Sequence, residues 1–99
     1  MAMQRTLEVY YDIGSIPAGF GHPLDFRNAA METVETALEA AQAGEWVGAE
    51  IGMGEVNFGF NVEDFDLAER IVRESVKGTP FDCIRQIDRN EFDPEECGA

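Results

Sequence analysis

Residues 45–62 read EWVGAEIGMGEVNFGFNV, and the order of elements in the chain turns on how this stretch divides. In 55–62, Val56, Phe58, Phe60 and Val62 alternate with Glu55, Asn57, Gly59 and Asn61. One apolar and one polar set at a period of two marks a half-buried strand. In 45–51, Val47, Ala49 and Ile51 alternate in the same way with Trp46, Gly48 and Glu50. Gly52-Met53-Gly54 between the two runs supplies the backbone freedom of a hairpin turn. The centre of the chain is therefore a pair of adjacent antiparallel strands.

Toward the N-terminus, residues 6–13, TLEVYYDI, alternate again: Leu7, Val9, Tyr11 and Ile13 point one way, and Thr6, Glu8, Tyr10 and Asp12 the other. Between this strand and the hairpin the period changes. Phe26, Ala30, Val34, Leu38 and Ala41 recur at spacings of three and four, which predicts an amphipathic helix capped by Asp25, running to about Ala43 and stopped by Gly44. Glu32, Glu35 and Glu39 fall on its polar side. After the hairpin, Glu63 or Asp64 opens a second helix, with Leu67, Ala68, Ile71, Val72, Ser75 and Val76 in its apolar positions and Gly78 as its stop. Thr79-Pro80 then leads into a last strand over 81–88, FDCIRQID. Its parity is blurred, since Phe81, Cys83 and Ile87 share one face and Ile84 takes the other, as a bulge or an edge position would produce.

Strand, helix, strand, strand, helix, strand, joined by right-handed crossovers, gives an α+β two-layer sandwich. This is the ferredoxin-like βαββαβ arrangement, two helices on one face of a four-stranded antiparallel sheet. The predicted core joins Leu7, Val9, Val34, Leu38, Phe58, Phe60, Leu67, Ile71 and Val72. Residues 1–92 read as one domain, near the commonest domain size, and 93–99 as an acidic tail that frays. Many unrelated functions share such a fold, so it fixes none of them.

Charge narrows the choice. Twenty Asp and Glu stand against seven Lys and Arg, for a net charge of −13. Nucleic-acid backbones are held by Lys and Arg displacing counterions, and anionic membranes by the same residues, so neither is an expected partner. A basic protein is. No apolar run approaches the roughly 20 residues of a spanning helix. The N-terminus, MAMQRTLEVYY, lacks the charged, apolar and small-residue order of a secretory signal. Only Cys83 and Cys97 are present, which reads as free thiols in a reducing cytoplasm, with a Cys83–Cys97 disulfide as the alternative.

Three regions invite chemistry. The stretch 14–23, GSIPAGFGHP, holds three glycines, two prolines and the lone histidine. It fits neither the GxxxxGK[ST] nor the GxGxxG phosphate pattern, and no lysine is near. Phe20 and His22 are its candidates for ligand or partner contact, against the plainer reading of a long connection with Ile16 and Phe20 tucked on the core edge. His22 is expected to be non-catalytic. Glu63, Asp64, Asp66 and Glu69 could hold a metal, but capping and the helix dipole account for acids at a helix start, and no EF-hand pattern follows. No cofactor or metal is expected.

The third region is the sheet face that the helices leave open. By parity it carries Glu8, Tyr10, Asp12, Trp46, Glu50, Glu55, Asn57 and Asn61. Aromatics set among acids suit contact with a basic protein, with a sheet-to-sheet homodimer or a simply solvated face as the alternatives. The sequence thus points to a small acidic binding module. An inhibitor or immunity protein that neutralises a basic partner such as a toxin fits best. A dimeric ferredoxin-like enzyme or small-ligand sensor using the 14–23 loop is the rival.

Overall fold

A computed structural model describes residues 4–92. Seven elements follow in order: β1 (Gln4–Asp12), a 3-10 turn (Ile13–Ser15), α1 (Pro23–Ala40), β2 (Gly44–Gly52), β3 (Glu55–Val62), α2 (Phe65–Val76) and β4 (Gln86–Phe92). The strands form one antiparallel sheet in the order β2-β3-β1-β4. Both helices pack on the same side, α1 over β2 and β3, α2 over β1, and they touch each other. The fold is ferredoxin-like, as the element order predicts. The expected tail, with Cys97, lies outside the described residues.

The core follows the strand alternation. Leu7, Val9 and Tyr11 of β1 and Val56, Phe58 and Phe60 of β3 are fully buried beneath Phe26, Ala30, Val34 and Leu38 of α1 and Ala68, Val72 and Val76 of α2. Leu67 is expected among them, yet it is 36% exposed. It sits about 100° around the helix from Ala68, beyond the narrow stripe that the sheet covers. Ile71 is only partly buried, against the rim of the core.

Both ends of α1 differ from expectation. His22, and not Asp25, is the N-cap: its Nδ1 accepts the Leu24 N–H at 3.0 Å, while the Asp25 carboxylate accepts the His22 N–H at 3.3 Å. This reciprocal pair, with Pro23 at the first helical position, is a capping box with an imidazole in the usual hydroxyl's place. At the other end the helix stops at Ala40, and Ala41 is exposed. Gln42, at φ 53°, makes the left-handed turn. Its N–H bonds Glu39 O at 3.0 Å and the Ala43 N–H bonds Leu38 O at 2.8 Å, a Schellman closure without glycine. Gly44 has a different task. A Cβ there would stand 3.0 Å from Asn61 O and 3.1 Å from Val62 Cγ1, so glycine lets β2 lie close against β3.

The last strand starts later than its apolar run implies. Residues 81–85 are irregular, with Phe81, Cys83 and Ile84 packed on the core edge from a loop. Thr79 Oγ1 accepts the Phe81 N–H at 3.1 Å, and Asp82 N–H bonds Thr79 O, which turns the chain before it can pair. β4 then runs on to Phe92, past the Asp88 at which the predicted strand ends. β4 is an edge strand, but the blurred parity has another source: Phe81, Cys83 and Ile84 precede the strand and obey no strand alternation.

Candidate binding surface on the uncovered sheet face

Residues directly opposite in antiparallel strands share a face. The register places Tyr10 between Asn57 and Gln86, with Glu50 beyond Asn57. One step along, Glu8 lies between Gly59 and Asp88, with Gly48 beyond Gly59. All of these are turned away from the helices. Gly48 and Gly59, side by side and without side chains, floor a hollow of about 270 Å³ walled by Glu8, Tyr10, Val47, Glu50 and Asn57.

Trp46 is not on this face. β2 is irregular between Trp46 and Gly48, so that Trp46 pairs with Phe60 and Gly48 with Gly59, leaving Val47 as the extra residue. Trp46 therefore shares Phe60's side, the helix side, while Val47 reaches the open face, its Cγ2 3.7 Å from where a Gly59 Cβ would stand. The bulge exchanges the two residues that strict alternation assigns. Val47 replaces Trp46 in the candidate surface. Ala49 and Ile51, beyond the bulge, face the helix side as alternation requires, opposite Phe58 and Val56.

The acids divide into two groups. Asp12 and Glu55 are held by Arg85, at 3.1 Å from Asp12 and in an ion pair with Glu55. The same guanidinium stands 5.9 Å from the Tyr10 ring centre, and the Arg85 N–H bonds Tyr10 O at 2.8 Å. Pattern alone does not single out Arg85, which it sets inside a strand. The other group has no cationic partner among the described residues. Glu8 accepts the Tyr10 hydroxyl at 2.5 Å, Asp88 accepts Gln86 Nε2, and Glu45 and Glu50 are exposed on β2. Glu45 also borders a hollow of about 450 Å³ with Glu39 and Glu63. The bond to Glu8, burial and the charges of Glu8, Asp88 and Glu55 together hold the Tyr10 phenol well above its ordinary range.

The 14–23 loop is occupied with packing. Phe20 meets Phe26 edge-on at 5.1 Å and Phe81 at 5.9 Å, on the helix side. His22 spends one ring nitrogen on the α1 cap. Neither residue joins the open face. In the acidic cluster at 63–69, Asp64 Oδ1 caps α2 through the Leu67 N–H at 3.1 Å, while Asp66 and Glu69 pair with Arg89 at 3.0 and 3.1 Å. Among the described residues no group of three or more His, Cys, Asp or Glu is placed to hold a metal ion, and no helix is long and apolar enough to cross a membrane. Burial raises the Cys83 thiol above its ordinary value, which disfavours the reactive thiolate.

No protein-family model matches the chain, and no curated protein does. Among solved structures it is similar to a dimeric ferredoxin-like protein from an uncultured marine organism, at 11% identity over 92% of this chain and 87% of that one, with a TM-score of 0.48.

Proposed function

We propose that the chain is a binding module for a basic protein, acting in the cytoplasm as an inhibitor or immunity-type partner that neutralises a cationic toxin. One observation carries this reading. The uncovered face presents Glu8, Asp12, Glu45, Glu50, Glu55 and Asp88, answered among the described residues by Arg85 alone. A field of one sign speeds encounter with a cationic surface, and close contacts set how long the complex lasts. The glycine-floored hollow gives a lysine or arginine side chain a seat between Glu8 and Glu50, with the Tyr10 ring as its apolar wall. The rival reading, an enzyme or ligand sensor built on residues 14–23, draws no support from a loop whose Phe20 and His22 are already committed to packing and capping.

The test is association kinetics against the cationic proteins captured from a source lysate, at low and physiological salt. Glu50→Lys should slow association and flatten its salt dependence, and Tyr10→Ala should speed dissociation. Association indifferent to ionic strength overturns the reading.

A further inference from the structure

β2 is an edge strand, and it is dressed unlike an edge. Five large apolar side chains are exposed among the described residues, and four lie on β2 or its hairpin tip: Trp46 at 44%, Val47 at 47%, Ile51 at 42% and Met53 at 101%. Natural sheets blunt their edges with charge, proline or bulges because bare main-chain groups recruit other strands. Here the bulge at Val47 blunts only the first half.

The second half is open. Met53 and Gly54 have φ of 53° and 79°, so the turn is the two-residue hairpin type in which the flanking Gly52 and Glu55 exchange main-chain hydrogen bonds. Alternation then turns the N–H and C=O of Glu50 toward Asn57, and those of Ala49 and Ile51 away from β3, to the free edge. The bonds Ile13 N–H to Gly54 O and Arg85 N–H to Tyr10 O keep the same parity across the rest of the sheet.

We propose that residues 48–52 receive an extended segment of the partner as an added strand. This deepens the basic-partner reading and rests on it for the charge of the segment. Side chains opposite Ala49 and Ile51 fall on the helix side, beside the exposed Ile51 and Trp46, and are apolar. The side chain opposite Glu50 falls on the open face and is lysine or arginine. Main-chain bonds supply affinity, and the alternate positions supply specificity. A second copy of this chain is a poor occupant: the charged residues of β2 are Glu45 and Glu50, and each copy brings a net charge of −13.

The experiment follows amide exchange by NMR with three short peptides. One alternates valine with lysine, one is the same peptide methylated on its valine main-chain nitrogens, and one has glutamine for lysine. The first should slow exchange at Ala49 and Ile51 by about tenfold or more, and the other two should not. Equal binding of the methylated peptide, or no protection by any peptide, overturns strand addition and leaves the acidic-face reading standing. Equal binding of the glutamine peptide upholds strand addition and overturns the basic character of the segment. If the protein alone sediments as a dimer with these two amides already protected, the occupant is a second copy and the proposal falls.

Discussion

β4 and β2 close the same sheet on opposite sides, and Arg89 and Glu91 of β4 are answered among the described residues where Glu45 and Glu50 of β2 are not. On β4, Arg89 reaches across to Asp66 and Glu69 of α2 with its guanidinium 5.6 Å from the Phe65 ring centre, and Glu91 pairs with Arg5 at 2.6 Å. Those groups fasten the edge to its own molecule. On β2, Glu45 and Glu50 have no ionic partner among the described residues, and Trp46, Val47 and Ile51 stand in water. A charge answered internally holds the fold, whereas a charge left beside exposed apolar surface is available to something else. The difference separates charges that the fold uses from charges that it leaves unanswered within a single sheet.

The largest expected effect treats the two edges alike. Phe58 sits on β3 beneath α1 and is fully buried, so Phe58→Ala should cost about 3–5 kcal/mol. Urea unfolding followed by amide exchange should then show both edges lost in one transition. An edge that survives alone would mean the sheet is not one cooperative unit. Next is Gly44→Val, which forces side-chain atoms against Asn61 O and Val62 and should cost about 1–3 kcal/mol, with β2 loosened first. Arg89→Met removes the fastener of the other edge. It should speed amide exchange in β4 several-fold and leave β2 unchanged, and equal loosening of both edges would erase the distinction.

Smaller effects sharpen it. Between the edges, Tyr10 is raised first by its bond to Glu8, and Tyr11 by burial. Folding therefore favours both neutral phenols. Their contribution to stability is complete below the ordinary tyrosine value near 10 and is lost as pH climbs above it. Phenolate absorbance should show neither residue ionising at that ordinary value, and Glu8→Gln should bring Tyr10 down while leaving Tyr11 where it is. The least change in stability is expected for Ile51→Lys, within about 0.5 kcal/mol of the parent by urea unfolding. A large loss there would make β2's apolar groups part of the fold's own packing.

Strand alternation makes most of the core legible in the amino-acid order itself, because Leu7, Val9, Phe58 and Phe60 each have only one face on which to be buried. It fails where the backbone slips. Nothing in EWVGAEI distinguishes a straight strand from one with an extra residue at Val47, and a single slip moves Trp46 to the other side. The β4 boundary is hidden for another reason: Phe81, Cys83 and Ile84 look like a strand because they are apolar, yet they reach the core from a loop pinned by Thr79. Arg89 and Arg85 act through partners far along the chain, which no local pattern reveals. The His22 cap does leave a trace, in Pro23 and in an acid three residues on, but an imidazole is not the acceptor one looks for there.

The register that joins β1 to β4 has a bearing on how the chain assembles. β2 and β3 meet across a two-residue turn, whereas β4 brings Arg5 and Glu91 together from 86 positions apart. Chain closure over that distance carries a larger entropic cost than the hairpin, which places it late on the folding path. Until β4 docks, β1 is itself an outer strand, and its carbonyl at Tyr10 and its companions look for partners. The outer border on that side of the nascent sheet is then β1 in place of β4. Mutual repulsion between chains carrying −13 each opposes the joining of such half-finished molecules during that interval.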